Sequence, residues 1–95
     1  MTKYKVIGTK RFHKKLDKLL NSGNKIYNKK LIDDVVDILA EGKQLPPKYK
    51  AHKLKGEYQD CWECHITSDW LLIWQQNDTE LILILTNTGT HSDLF

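Results

Sequence analysis

The fold of this chain is decided by CWECHITSDWLLIWQQNDTELILILT, residues 61–86. With the residues just before it, this stretch holds three runs rich in aromatic and β-branched side chains, which predict strands at 58–67, 70–76 and 80–86. The connections TSDW and QNDT carry Ser-Asp and Asn-Asp at their centres, which is typical of tight turns. The stretch therefore predicts an antiparallel meander of three strands. Its apolar run LILIL, residues 81–85, predicts that the last strand is central and covered on both faces.

Two amphipathic helices are predicted before the meander. Thr9 can cap the first helix and Gly23 can end it, and Asn24 and Gly42 take these roles in the second. The apolar stripes that define the two helices are Phe12, Leu16, Leu19 and Leu20, followed by Tyr27, Leu31, Val35, Ile38 and Leu39. A strand candidate, YKVIG at 4–8, precedes both. We therefore expect one α+β domain over residues 1–95, in the order β-α-α-β-β-β, with a helical hairpin packed on one face of a mainly antiparallel, twisted sheet.

The composition is that of a small folded domain. The chain has 95 residues, of which 40% are hydrophobic and 28% are charged, a balance typical of globular proteins rather than disordered ones. No apolar run approaches the roughly 20 residues of a membrane helix. The amino-terminal segment lacks the uninterrupted apolar core of a secretory signal. We therefore expect a cytoplasmic protein that contacts no membrane and keeps its thiols reduced.

Charge is distributed unevenly along the chain. Residues 1–30 carry +9 and residues 48–55, KYKAHKLK, carry +4, whereas residues 56–95 contain seven acidic residues and no Lys or Arg. Clustered positive charge attracts polyanions, because each neutralised phosphate releases counterions. The lysines of the first helix are equally well explained as a solvated face. The short lysine cluster around His52 is the stronger indication of a nucleic-acid partner.

The pair Cys61 and Cys64 has the spacing of a haem-attachment or zinc motif, CxxCH. Both cysteines lie in a predicted strand, and residues three apart in a strand point to opposite faces. Two thiols on opposite faces cannot ligate one metal ion, and the chain has no second Cys pair. We therefore expect buried, unreactive cysteines and no metal or other cofactor.

His65 is the informative residue of the same stretch. It ends the first strand of the meander, and the strand directions bring the tail NTGTHSDLF back to that end of the sheet. His65, Asp69 and His91 are therefore expected to converge, whereas the strand order alone does not place His52 with them. Imidazole titrates near neutral pH and suits general acid–base catalysis. Beside a basic surface, the matching reaction is attack of an RNA 2′-OH on the adjacent phosphorus.

Three separated segments resemble one protein family. YKAHKLKG (49–56), ECHITSDWLLIW (63–74) and TGTHSDLF (88–95) are similar to the YafQ-type branch of the RelE/ParE toxin superfamily, and the predicted element order fits the RelE-like fold. The resemblance implies a type II toxin, a ribosome-dependent mRNA interferase that enters the A site and cuts mRNA without a metal. It also implies a cognate antitoxin that neutralises the toxin, with operator DNA bound only through the toxin–antitoxin complex.

The resemblance also implies roles for particular residues. The catalytic set that matches the family consists of His52, His65, Asp69, His91 and Phe95. RNA contacts are expected from Trp70 and from the lysines of the basic loop, Lys48, Lys50, Lys53 and Lys55. For Trp70, core packing explains its presence equally well, and for Asp69 so does capping of the TSDW turn.

The chain departs from the family at two positions, because Trp62 and Asn87 stand where relatives often carry arginine. Lys53, Lys55 or a protonated histidine would then have to stabilise the phosphorane. The alternative function is that of a non-catalytic member, either a gyrase inhibitor or a degenerate toxin that only binds its antitoxin. A weaker alternative is a metal-dependent nuclease that uses His and Asp.

Overall fold

Five strands form one sheet, and the two long helices cover one of its faces. The computed structural model describes residues 2–95. The elements, in chain order, are β1 (Lys5–Gly8), α1 (Lys10–Leu20), α2 (Lys29–Ala40), β2 (His52–Lys53), β3 (Trp62–His65), β4 (Trp70–Asn77), β5 (Ile82–Thr90) and α3 (His91–Leu94), with 3₁₀ turns at Pro47–Tyr49 and Gly56–Tyr58. The sheet order is β1-β5-β4-β3-β2, with β1 parallel to β5 and the other pairs antiparallel. The α+β prediction is confirmed.

The helix boundaries follow local capping chemistry. The Thr9 hydroxyl accepts a hydrogen bond from the Phe12 amide at 3.0 Å, as the sequence predicted. The cap predicted at Asn24 is wrong, because Asn28 caps α2 by accepting from the Lys30 amide at 2.9 Å. Asn24 instead accepts from the Ile26 amide within the connecting turn. Consequently Tyr27 of the predicted stripe lies before the helix.

The helix ends differ from the prediction in one case. α1 already ends at Leu20, with Asn21 as its carboxyl-terminal cap, and Gly23 lies farther on, in the turn between the helices. In α2, Gly42 follows the cap residue Glu41 and has φ +75°, so it ends the helix as expected.

The strands differ from the prediction in extent. The first strand of the meander was predicted from residue 58, but a 3₁₀ turn at Gly56–Tyr58 and the left-handed Asp60 (φ +71°) delay it to Trp62. A two-residue strand, His52–Lys53, adds an edge that the sequence did not predict. β5 continues to Thr90, beyond the predicted end at residue 86, and the short helix α3 follows it.

Most of the LILIL run lies in β5, which is an interior strand between β1 and β4 as predicted, but the strand is not covered on both faces. Leu83 and Leu85 are buried against the helices, whereas Ile82 and Ile84 on the opposite face are half-exposed. A bulge follows: Ile73 pairs with Asn87 but Trp74 pairs with Leu85, which leaves Thr86 as the extra residue. The bulge shifts the alternation of β5, so that Asn87 faces the side opposite the helices.

The core is divided between the two faces of the sheet. The helix side holds the larger cluster, whose fully buried members include Val35, Cys64, Trp70, Leu72 and Leu83. The other face holds a small cluster of Cys61, Leu71, Ile73 and Leu94, with Leu54 and Tyr58 packed against it. Each such aliphatic side chain contributes about 1.5–3 kcal/mol on burial. Within residues 2–95, no helix has the length and apolarity to cross a membrane.

Candidate active site

The sheet face opposite the two long helices carries a row of paired residues that crosses four strands, a polar row interrupted only by Ile73 on β4. His52 of β2 pairs with Glu63 of β3, Glu63 pairs with Ile73 of β4, and Ile73 pairs with Asn87 of β5. His65 lies two residues beyond Glu63 on the same face, roughly 7 Å along the strand. The structure thus brings His52 to the face that carries His65, which the strand order alone had left open.

Both ring nitrogens of His52 contact an oxygen atom of a neighbouring residue. Its Nδ1 lies 2.8 Å from the Lys50 carbonyl oxygen, which can only accept, so Nδ1 donates there. Its Nε2 lies 3.4 Å from Oε1 of Glu63. The Glu63 side chain is only 5% exposed, and its second oxygen, Oε2, has no hydrogen-bond partner within residues 2–95.

Glu63 belongs to the candidate site although the sequence motifs did not single it out. A buried carboxylate is costly unless a partner compensates its charge, so His52 and Glu63 form one structural unit. The available signal was the period of two along the strand, which places Glu63 on the same face as His65.

His65 borders the basic loop. Its Nδ1 lies 3.3 Å from the Ser68 carbonyl oxygen, a long contact within the β3–β4 turn. Lys48, Lys50 and His65 line one cleft of about 410 Å³. The Lys48 ammonium also lies 5.0 Å from the centre of the Tyr49 ring. Two lysines of the loop and one histidine therefore surround a space large enough for a phosphodiester.

His91 is the first residue of α3, and hydrogen bonds fix the amino end of this helix. The His91 amide donates to Oδ1 of Asp69 at 3.3 Å, which joins the β3–β4 turn to the end of β5. Asp69 thus holds the backbone of His91, not its imidazole. Thr90 and Asp93 form a capping box, and hydrogen bonds from the Thr90 backbone and side chain lower the pKa of Asp93.

The Phe95 ring contacts both the His91 ring and the Tyr58 ring. The Phe95 ring lies 5.2 Å from the His91 ring and 5.7 Å from the Tyr58 ring, centre to centre, and its side chain is 56% exposed. Tyr58 was predicted only as a strand residue. No sequence pattern marked it, because its position depends on the 3₁₀ turn that folds it over the sheet.

The RNA contact predicted for Trp70 is contradicted by its burial. Trp70 is fully buried, its Nε1 donates to the Thr88 hydroxyl at 2.9 Å, and Tyr27 packs edge-on against it at 5.3 Å. No part of the indole is free to stack on a base. Core packing, the alternative from the sequence, accounts for this tryptophan.

The two positions that lack arginine lie on different faces. The Trp62 ring stacks near Trp74 on the helix side, with ring centres 6.4 Å apart, so position 62 points away from the histidines. Position 87, by contrast, points toward the histidines.

Two lysines of the basic loop lie away from the His65 cleft. Lys53 pairs with Trp62 and therefore faces the helix side, and with Lys55 it lines a separate cleft of about 370 Å³. The four lysines of the basic loop thus form two groups.

The cysteines lie on opposite faces, as strand alternation predicted. Cys61 belongs to the small cluster and Cys64 to the main core. Burial, aided by the neighbouring Glu63 charge, raises the pKa of the Cys64 thiol to about 12, and burial also raises that of Cys61. Within residues 2–95, no three His, Cys, Asp or Glu side chains are grouped so that they could hold a metal ion.

The chain is similar to known bacterial toxins. The family model described as bacterial toxin of type II toxin–antitoxin system, YafQ, matches residues 4–95. The mRNA interferase toxin YafQ of Escherichia coli strain K12 is 39% identical over 51 residues, which is 54% of this chain and 53% of that protein. The match thus spans about half the length of the curated relatives.

Solved structures agree over the whole fold. A metal-bound toxin from Helicobacter pylori is 40% identical, with a TM-score of 0.85 and 100% of each chain covered. The toxin chain of the E. coli DinJ–YafQ complex has a TM-score of 0.83, with 97% of this chain and 98% of that chain covered. At 24% identity, this second likeness shows the fold alone.

Proposed function

This chain belongs to the YafQ family of bacterial toxins from type II toxin–antitoxin systems, and on that premise we propose that it is an mRNA interferase. It cuts ribosome-bound mRNA by general acid–base catalysis. The observation that carries the proposal is the arrangement of His52, His65 and His91 on or beside one open sheet face, next to the Lys48–Lys50 cleft.

The reaction needs one proton acceptor and one proton donor. The acceptor takes the proton of an RNA 2′-OH, and the 2′ oxygen forms a bond to the adjacent phosphorus. The bond from phosphorus to the 5′ oxygen then breaks, and the donor protonates that oxygen. The products are a 2′,3′-cyclic phosphate and a 5′-OH. His65 and His91 are the proposed proton carriers, because neither ring is engaged by a buried carboxylate as His52 is.

The groups around these histidines are the proposed contacts to the RNA substrate. Lys48 and Lys50 attract the phosphates beside His65, and Lys53 and Lys55 contact ribosomal RNA from the helix side of the β2 edge. The exposed Phe95 stacks on a splayed base, a contact worth about 1–3 kcal/mol. Asp69 positions His91 through its backbone.

The decisive experiment is primer extension on mRNA after induction of the wild type and of His65→Ala and His91→Ala. We expect discrete cuts with the wild type and about 10²- to 10⁴-fold slower cutting with each variant. His13→Ala is the matched control, because His13 is an exposed histidine on α1. Undiminished cutting by both variants would refute the assignment. Growth arrest with DNA damage and no mRNA cuts would favour a gyrase inhibitor.

The proposed partner is a cognate antitoxin that neutralises the toxin. The solved E. coli DinJ–YafQ complex shows that a toxin of this fold is bound by an antitoxin. We expect an acidic protein encoded beside this one to copurify with it and to abolish mRNA cutting. Operator DNA would be retained only by the complex, and toxin alone retaining it would contradict that part of the proposal.

A further inference from the structure

The amide of Asn87 has a settled orientation. Its Oδ1 accepts a hydrogen bond from the Thr88 backbone amide at 2.9 Å, which can only donate. Its Nδ2 therefore points the other way, toward the Tyr58 hydroxyl at 3.4 Å. Asn87 is only 4% exposed, so the surrounding sheet holds this orientation.

The side-chain amide of Asn87 determines the direction of the Tyr58 O–H bond. Because Nδ2 of Asn87 donates, the phenolic oxygen of Tyr58 accepts, and its own proton must point elsewhere. Among residues 2–95, no group accepts a hydrogen bond from the Tyr58 hydroxyl. Tyr58 packs against the small apolar cluster and lies edge-on to Phe95, which in turn contacts His91. A directed donor without a partner thus lies one aromatic ring away from His91, one of the two proposed proton carriers.

The open face, which is the sheet face opposite the two long helices, carries no arginine that could stabilise a phosphorane. The chain has a single arginine, Arg11, and it lies on α1, which packs on the other side of the sheet. A phosphorane gains negative charge on its non-bridging oxygens, and preorganised hydrogen-bond donors are an effective way to stabilise charge that develops in a transition state. Tyrosine is among the side chains that perform this role.

We propose that Tyr58 is a catalytic residue whose hydroxyl donates a hydrogen bond to a non-bridging phosphate oxygen, and that Asn87 is its positioning residue. The inference rests on the proposed mRNA interferase function. The Tyr58 proton stays on the phenol throughout, and the donor acts most strongly when the phosphorus carries five oxygens. Tyr58 therefore affects the rate of cutting more than the binding of mRNA.

The test compares Tyr58→Phe with wild type in cleavage of mRNA on programmed ribosomes, with kcat and KM measured separately. The substitution removes one oxygen and keeps the ring that packs on Phe95. We expect kcat to fall about 10²-fold with KM within about twofold. Tyr27→Phe is the matched control, because that tyrosine packs on Trp70 away from the open face, and its kcat should not change.

A second variant tests the positioning role of Asn87. In Asn87→Asp the carboxylate cannot donate to Tyr58 and instead accepts the phenolic proton, which withdraws the donor from the phosphate. We expect a similar fall in kcat, and the double variant Tyr58→Phe/Asn87→Asp should be no slower than the slower single variant. Multiplied effects in the double variant would show that Asn87 acts by another route.

The outcomes separate this inference from the function on which it rests. Cutting by the wild type with an unchanged kcat in Tyr58→Phe would overturn the role of Tyr58 and leave the mRNA interferase proposal intact. A wild type that cuts no ribosome-bound mRNA would overturn both. A raised KM with unchanged kcat would assign Tyr58 to binding alone and would also overturn its catalytic role.

Discussion

The two faces of the sheet are formed by alternate residues of the same strands, yet one face is closed and the other is open. On β3, Cys64 lies in the main core beneath the helices, whereas Glu63 and His65 on either side of it belong to the polar row. On β4 both faces are apolar, because Leu72 and Trp74 pack under the helices and Leu71 and Ile73 support the small cluster.

The difference shows how the fold separates stability from chemistry. The closed face buries large side chains that only pack, and Trp70 belongs there although its sequence position suggested RNA contact. The open face has a small cluster, just large enough to seat α3 and the 3₁₀ turn with Tyr58. Substitutions on the closed face should therefore unfold the protein, and most substitutions on the open face should change activity first.

The largest effect on stability is expected for Trp70→Ala. It removes a fully buried indole and leaves a cavity, which should lower the free energy of unfolding by about 3–5 kcal/mol. Urea unfolding followed by circular dichroism measures the change. Trp70→Phe keeps most of the packing and loses the hydrogen bond to Thr88, so it should cost less. If Trp70→Ala were as stable as the wild type but unable to bind ribosomes, the closed face would have an RNA-binding role after all.

The exception on the open face is His52, because it partners a buried carboxylate. His52→Ala leaves the buried Glu63 side chain without its contact to the imidazole, which should lower the free energy of unfolding by about 1–3 kcal/mol. Adding Glu63→Gln to that variant removes the buried charge and should recover part of the loss. His65→Ala is the control, since its contact with Ser68 is long and part of a turn, and it should change stability by at most about 0.5 kcal/mol. Equal losses in both histidine variants would contradict the special role of Glu63.

A smaller effect is expected at the cap of α3. Thr90→Ala removes the capping hydroxyl and should cost about 0.5–2 kcal/mol at pH 7. Because the pKa of Asp93 is lowered in the folded protein, its contribution is present above the usual aspartate pKa and is lost as the pH falls below about 4. Asp93→Asn should therefore be less stable than the wild type at pH 7, and the difference should narrow as the pH falls below about 4 toward the lowered pKa of Asp93. A difference that stays constant as the pH falls would show that it does not come from the charge of Asp93.

The smallest expected effect is on the reactivity of the two thiols. Each thiol lies on a different face of the sheet, so its rate of labelling measures how readily that face opens. At pH 8 a thiol with a pKa of about 12 is ionised in about one molecule in 10⁴, so Cys64 should react with iodoacetamide only when the protein unfolds. Fragmentation of the labelled peptide in mass spectrometry separates Cys61 from Cys64 without a substitution in the core. Faster labelling of Cys64 than of Cys61 would show that the closed face opens more readily than the open one.

Much of the fold could be predicted from local patterns. Thr9 and Gly42 marked helix ends, and the alternation along the predicted strand 58–67 placed the two cysteines on opposite faces. The errors arose where tertiary structure overrides local preference. Asn24 and Asn28 are both suitable caps, and the choice depends on where α2 packs. The short strand His52–Lys53 exists only because β3 is there to pair with it.

The sequence pointed to the histidines of the candidate site but not to the residues around them. Strand directions predicted that His65, Asp69 and His91 converge, and the resemblance added His52. Glu63, Tyr58 and Asn87 were missed, because their roles depend on cross-strand register, a bulge at Thr86 and a 3₁₀ turn. None of these features has a periodic signature in the chain.

The sequence by itself determined the α+β class, the helical stripes, the meander and the failure of the cysteine motif, because each of these follows from periodicity and turn chemistry within a few residues. Only the tertiary structure decided that His52 pairs with a buried Glu63, that Trp70 is sealed in the core and that Asn87 directs the Tyr58 hydroxyl. These contacts join residues far apart in the chain, and their geometry depends on strand pairing and burial, which no short stretch of sequence specifies.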